Sequence, residues 1–212
     1  MKDLKTFFLA TLLLIQIPFE SFSQKKEVLP SKNEFNIDLA RQMLDEGSVT
    51  IEGTASAKEF TDNNRFNQAI GVKIFAKKHN AKPGTKVLLF PMTPYFEEYL
   101  ELRKKYLKSN TYTAVLSEEA FKHRIETSVG ENGKFVFEKI KPGLYYIEAL
   151  VNYTGSDVYD VESGRTDYYN GLGHYTGSKT NYRGEIQYYQ NADLESKIIN
   201  IKDGMKIFKL KL

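Results

Sequence analysis

Apolar positions in this chain alternate with polar ones in run after run, the spacing of a half-buried β-strand rather than of a helix. Val49 and Ile51 alternate with Thr50 and Glu52. Phe121, His123, Ile125, Thr127 and Val129 alternate with Lys122, Arg124, Glu126 and Ser128, which predicts a strand over 121–129. Phe135 and Phe137 face away from Lys134, Val136 and Glu138, and 144–151 places Tyr145, Ile147, Ala149 and Val151 on one face. Val87 to Phe90 is continuously apolar, as in a central strand buried on both faces. Further strands are expected at 69–77, 182–190, 194–201 and 205–212, with a polar loop over 58–67. The last two of these strands read as a terminal hairpin.

Turn chemistry punctuates this pattern. Asn132-Gly133 suits a two-residue surface hairpin turn, because both central residues of a type I′ turn need positive φ. Pro142-Gly143 reads as a type II turn, with Gly143 at the positive-φ position, and Asp203-Gly204 as another hairpin signal. Two segments carry helical spacing instead. Over 36–46, Asn36 is an N-cap, Ile37, Ala40 and Leu44 share a face, and Gly47 suits the C′ position. Over 93–108, Thr93 caps, Pro94 takes N1, and Phe96, Tyr99, Leu100, Tyr106 and Leu107 form one face. Acidic residues come early and basic ones late in that helix, which complements its dipole.

The run Glu131-Asn132-Gly133, then Phe135, Phe137, Ile140, Pro142-Gly143 and Tyr145, resembles the carboxypeptidase regulatory-like family. The segment from Lys82 to Tyr95, KPGTKVLLFPMTPY, is similar to the strand that leads into a helical insertion in exported bacterial members. The resemblance is good over roughly residues 48–151 and loose elsewhere. It implies a mainly β fold: an Ig-like, prealbumin-like (transthyretin-like) antiparallel β-sandwich with a helical insertion. It also implies a non-catalytic module, since such domains accompany catalytic partners rather than carry their zinc ligands.

The N-terminus reads as a secretory signal over 1–23. Lys2 and Lys5 precede an uncharged stretch from Thr6 to Phe19, and Ser21 and Ser23 suit cleavage before Gln24. That stretch is shorter than the ~20 residues a spanning helix needs, so no stable membrane span is expected after cleavage. The expected location is periplasmic, cell-surface or secreted. Residues 24–46 then form a polar, mobile leader ending in the short helix. Residues 47–212 form the sandwich, with its insertion at 93–108 and a Tyr-rich loop at 152–181. Cysteine is absent, which excludes thiol nucleophiles, thiolate zinc sites and a lipidated N-terminal cysteine. Thirty basic against 27 acidic residues leave no footprint for nucleic acid.

Little in the chain points to chemistry. His79, His123 and His174 fall in no metal-binding spacing, and no Gly-x-Ser-x-Gly elbow is present. His123 is placed on the apolar side of a strand and His79 in an exposed Lys-rich turn. The acids Asp157, Asp160, Glu162 and Asp167 lack the spacing of a calcium loop. No cofactor and no metal are expected. Tyrosine is more suggestive: ten of the 14 lie between Tyr145 and Tyr189. A phenol ring offers a flat apolar face and a hydroxyl, which suits a protein contact or sugar stacking. The candidate ligand-binding residues are therefore Tyr168, Tyr169, His174 and Tyr175, in a Gly-rich loop, with an unknown protein or glycan as partner. The expected function is a non-catalytic binding or structural module. One alternative is a carbohydrate-binding module using the Tyr-rich loop. The other is an enzyme with a site around His174 and the nearby acids. Coplanar exposed rings would favour sugar, a deep pocket of His174 and carboxylates catalysis, and a flat apolar patch a protein partner.

Overall fold

The computed structural model describes residues 25–61 and 74–212, and it is mainly β, with 56% strand in mostly antiparallel sheets. The expected signal over 1–23, its cleavage point before Gln24, and the 69–73 part of one expected strand lie outside the described residues. In chain order the elements are β1 (Lys26–Val28), α1 (Ile37–Leu44), β2 (Val49–Thr54), β3 (Ser56–Thr61), β4 (Ile74–Asn80) and β5 (Lys86–Pro91). They continue with α2 (Pro94–Tyr106), β6 (Tyr112–Ala114), α3 (Glu118–Lys122), β7 (Ile125–Ser128), β8 (Lys134–Ile140), β9 (Gly143–Tyr169), β10 (Tyr175–Ile201) and β11 (Ile207–Lys211).

One sheet has the order β10-β9-β5-β7, another β11-β2-β8, and β3 pairs with β4 as a separate hairpin. The two larger sheets share one core. Val49, Ile51, Phe135, Phe137 and Leu210 enter it from the three-stranded sheet. Val87, Leu89, Ile147, Ala149, Val151, Ile199 and Ile201 enter from the four-stranded one. The alternation on β2, β8 and the first half of β9 thus gives the inward residues correctly, and the continuous apolar run of β5 supplies Val87 and Leu89. A second, smaller cluster lies on the other face of the four-stranded sheet, where α2 sets Phe96 against Phe90 and Tyr146. The Thr93 hydroxyl accepts the Phe96 N–H, so the expected cap starts this helix.

Several local expectations are corrected. Asn132 and Gly133 both have positive φ, but they form a short 3-10 turn joining β7 to β8, which belong to different sheets. Gly133 is buried there, and a Cβ on it would lie 2.6 Å from the Ala55 carbonyl oxygen. Gly143 does not take positive φ; that conformation falls on Lys139, at a bulge where β8 carries an extra residue against β2. Gly47 is needed for close approach rather than as a left-handed cap, since a Cβ would meet Lys141 backbone at 2.3 Å. The start of the strand expected at 121–129 is helical, because Ser117 caps a turn of helix by accepting the Ala120 N–H. His123 ends that helix, its Nδ1 2.8 Å from the Glu119 carbonyl, and does not sit on a strand face. The 58–67 loop is strand as far as Thr61, and the rest lies outside the described residues. The terminal hairpin is absent: Gly204 has positive φ, yet β11 crosses to the other sheet and runs parallel to β2.

The leader is also tied down. β1 pairs in parallel with β6, and the buried Glu98 carboxylate of α2 accepts the backbone N–H groups of Ser31, Lys32 and Asn33 at 2.8–3.0 Å. Burial pushes the Glu98 carboxyl up, but these bonds more than offset it and hold it below the usual range.

Candidate functional site: a tyrosine-lined ribbon

The 152–181 segment is not a loop. Strands β9 and β10 are each 27 residues long and pair with each other from Gly143–Ile201 out to Tyr169–Tyr175. Only the base of β9 pairs with β5, from Tyr145 to Ala149, so the outer part is a two-stranded ribbon. Glycine and serine suggested a loop, but β-strand pairing tolerates Gly at bulges, and Gly164 and Gly177 sit beside the two register shifts. The ribbon closes through Asn170, whose Oδ1 accepts the N–H groups of Leu172 and His174, while Gly173 supplies positive φ.

Register and alternation assign the side chains to faces. One face carries Leu150 and Leu194, then Val158 opposite Ile186 with Tyr188 beside them, then Tyr182, then Tyr169 opposite Tyr175. All of these are exposed, Tyr188 at 69% and Tyr182 at 63%. Nearer the body, Ile198 on the same face is exposed too and lines an apolar groove of about 450 Å3 with Met92, Leu100 and Leu144, rimmed by Glu97, Glu101 and Lys104. Arg165 lies within this row; it pairs with Asp167 at 2.7 Å and donates to the Tyr175 hydroxyl at 2.9 Å.

The four candidate residues are therefore divided. Tyr169 and Tyr175 come together, ring centroids 6.0 Å apart and nearly edge to face at 73°. Tyr168 points to the opposite face. His174 lies in the exposed turn, held by its backbone to Asn170. The acids expected around His174 are instead strung along β9, and Asp167 is engaged by Arg165. Among the described residues no group of three or more His, Asp or Glu is placed to hold a metal.

A polar cluster that sequence spacing did not reveal fixes the ribbon's base. Glu59 of β3 is 5% exposed, and its Oε2 is 2.7 Å from His79 Nε2 on β4. Glu59 Oε1 accepts the Ser156 N–H at 2.9 Å and the Tyr189 hydroxyl at 3.2 Å, reaching both ribbon strands. His79 stacks on Tyr153 at 4.6 Å, so it is not the exposed turn residue expected. The His79 hydrogen bond lowers the Glu59 carboxyl, against the opposing effect of burial, with Ser156 and Tyr189 adding to the lowering. Burial and the nearby Glu59 charge push the Tyr189 phenol up to about 12. Tyr189 also lies against Gly155, where a Cβ would come within 2.3 Å of its ring. No sequence signal pointed to this cluster, since Glu59 was expected in a polar loop and His79 in a turn; their partnership depends on the β3–β4 pairing.

The remaining concavities are shallower in chemistry. One, of about 630 Å3, lies along the three-stranded sheet and is lined by Lys134, Val136, Lys209 and Lys211. A smaller one of about 230 Å3 lies between Phe96, Tyr99, Phe121 and Glu148. Glu148 there is paired with Arg103 at 3.1 Å, and both touch the Tyr146 hydroxyl. No helix among the described residues is long and apolar enough to cross a membrane.

No protein-family model and no curated protein matches this chain. One similar solved structure is a Pseudomonas aeruginosa protein described as a "putative carbohydrate binding protein". It is 16% identical with a TM-score of 0.49, over 87% of this chain and 100% of that one.

Proposed function

We propose that this chain is an exported, non-catalytic binding module that recognises a protein partner through the tyrosine and aliphatic face of its ribbon. Its body is a prealbumin-like sandwich of the carboxypeptidase regulatory-like kind, with α2 as the helical insertion. The shared core of the two sheets supports that reading, as does the burial of Phe135, Phe137, Ile140 and Tyr145 from the motif that carries the resemblance.

The observation that carries the functional part is the row of exposed aliphatic and tyrosine side chains gathered on one ribbon face between Ile198 and Tyr175, with polar residues such as Thr154, Gln190, Asp160 and Glu162 interspersed. Exposed apolar surface gathered on one face and rimmed by polar residues marks contact sites. Aliphatic residues are interleaved with the tyrosines, and the tip rings meet edge to face instead of forming one platform. That composition suits a protein surface better than a sugar, whose rings stack on coplanar aromatics. The test is capture of protein partners by the mature chain, compared with a Tyr175→Ser, Tyr182→Ser, Tyr188→Ser variant. Loss of capture at unchanged melting temperature is expected. Undiminished capture by a folded variant would overturn the assignment, and selective binding on a glycan array would replace protein by sugar. Export is tested separately by N-terminal sequencing, expected to begin at Gln24.

A further inference from the structure

We infer that the occupant of the ribbon face is a second copy of this chain, docked face to face about a two-fold axis near Val158 and Ile186. This rests on the reading of that face as a contact surface and names its partner.

A two-stranded ribbon is marginally stable in water by itself and gains stability when a face is covered. Here the outer ribbon pairs with no other strand among the described residues. A flat sheet face is matched by another sheet face, and the chain itself supplies one of equal length. The size is sufficient. Nine large side chains are exposed along the stripe, four of them tyrosines. With a covered aromatic worth about 150–250 Å2, the stripe offers on the order of 1,000 Å2. An isologous pair would then remove about 2,000 Å2 in total, which lies in the range of stable homodimers.

The register supplies self-complementarity, which an isologous contact requires. Ile186 stands about midway along β10 between Tyr175 at the tip and Ile198 at the groove beside α2. An antiparallel pairing about Val158 and Ile186 therefore brings the tip tyrosines of each copy to the partner's apolar groove. The same pairing sets Tyr188 of one copy over Gly184 of the other, a large side chain against an absent one. Within each copy Arg165 is paired with Asp167, while Asp160 and Glu162 place further carboxylates on the same face beyond Val158.

The natural chain has no cysteine, so single-cysteine variants report contacts cleanly. The mature protein at micromolar concentration should show twice the mass of one chain by light scattering. A short bis-maleimide should link Ile186→Cys to itself, but not Glu185→Cys, which faces the other way. Mixing Tyr175→Cys with Ile198→Cys should give a crosslinked heterodimer. Val158→Cys serves in place of Ile186→Cys if the latter does not fold. Ile186→Lys, which sets like charges across the axis, should halve the mass while keeping the β-rich circular dichroism spectrum. A monomeric wild type, or a dimer that survives Ile186→Lys and crosslinks through Glu185→Cys, would overturn the inference. A monomer that still captures another protein through Tyr175, Tyr182 and Tyr188 would overturn the dimer alone. A monomer indifferent to those substitutions would overturn both readings.

Discussion

Replacing Glu59 by Ala probes how the ribbon is held to the body. The carboxylate is nearly buried and has three partners: His79, the Ser156 N–H and the Tyr189 hydroxyl. Net hydrogen bonds to a charged group are worth about 1.5–3 kcal/mol each, and they share one acceptor group, so they do not add fully. Removing one member of a buried ionic cluster typically costs about 3–5 kcal/mol, and this is the loss expected in urea unfolding at neutral pH. The pH dependence follows from the lowered carboxyl. A group whose folded pKa lies below its unfolded value contributes fully above the unfolded value, here 4.5. That contribution disappears as pH falls through the lower folded value. The gap between wild type and Glu59→Ala should thus be full at pH 7 and shrink steadily below 4.5. Hydrogen exchange at the Ser156 amide should rise in the variant at neutral pH. A loss under about 1 kcal/mol, within the range of surface substitutions, would refute the clamp. So would a gap independent of pH.

Other outcomes follow from the same geometry. Gly133→Val should destabilise by about 1–3 kcal/mol from backbone strain alone, with the Ala55 contact adding to it, measured by thermal melting. Phe137→Ala should cost about 3–5 kcal/mol in urea unfolding, as expected of a ring 2% exposed between two sheets. Glu98→Ala should leave the sandwich folded but expose the 25–35 segment to limited proteolysis, since three backbone N–H groups lose their acceptor. In a spectrophotometric titration, Tyr145 and Tyr189 should ionise near pH 12, after the exposed tyrosines, and Tyr189→Phe should remove one of these late steps.

What could be read from the sequence divides along the range of the interactions involved. Alternation identified the inward residues of β2, β8 and early β9, because one buried face imposes a period of two on each strand. Thr93 and Asn36 were legible as caps because capping is decided within three residues. The ribbon over 152–181 was not legible, although 182–190 and 194–201 read correctly as strand. Its residues face water on both sides, so no burial pattern distinguishes them from a loop, and its glycines and serines read as turn formers. Asn132-Gly133 had the conformation its composition demands, yet φ at a turn does not determine which sheet the next strand joins. Of the candidate residues, Tyr169 and Tyr175 share a face only because of the register shift beside Gly177. Tyr182, Ile186 and Tyr188 belong to the same surface but are not among the candidate residues.

The position of β2 has a consequence for how the chain reaches this state. It is the middle strand of its sheet, flanked by β8 and by β11, whose residues 207–211 are almost the last of the sequence given. Residues 49–54 therefore stay unsatisfied on one edge until more than 150 further residues are available. A chain emerging N-terminus first cannot close this sheet while it is still being delivered, and long-range pairing of this kind is slow. Such an order of assembly postpones the final locking step of this sheet until residues 207–211 are available. It also makes β11 a point of vulnerability. Clipping that one strand would bare an apolar central strand as a template for another chain, so proteolytic trimming there should favour aggregation over partial activity.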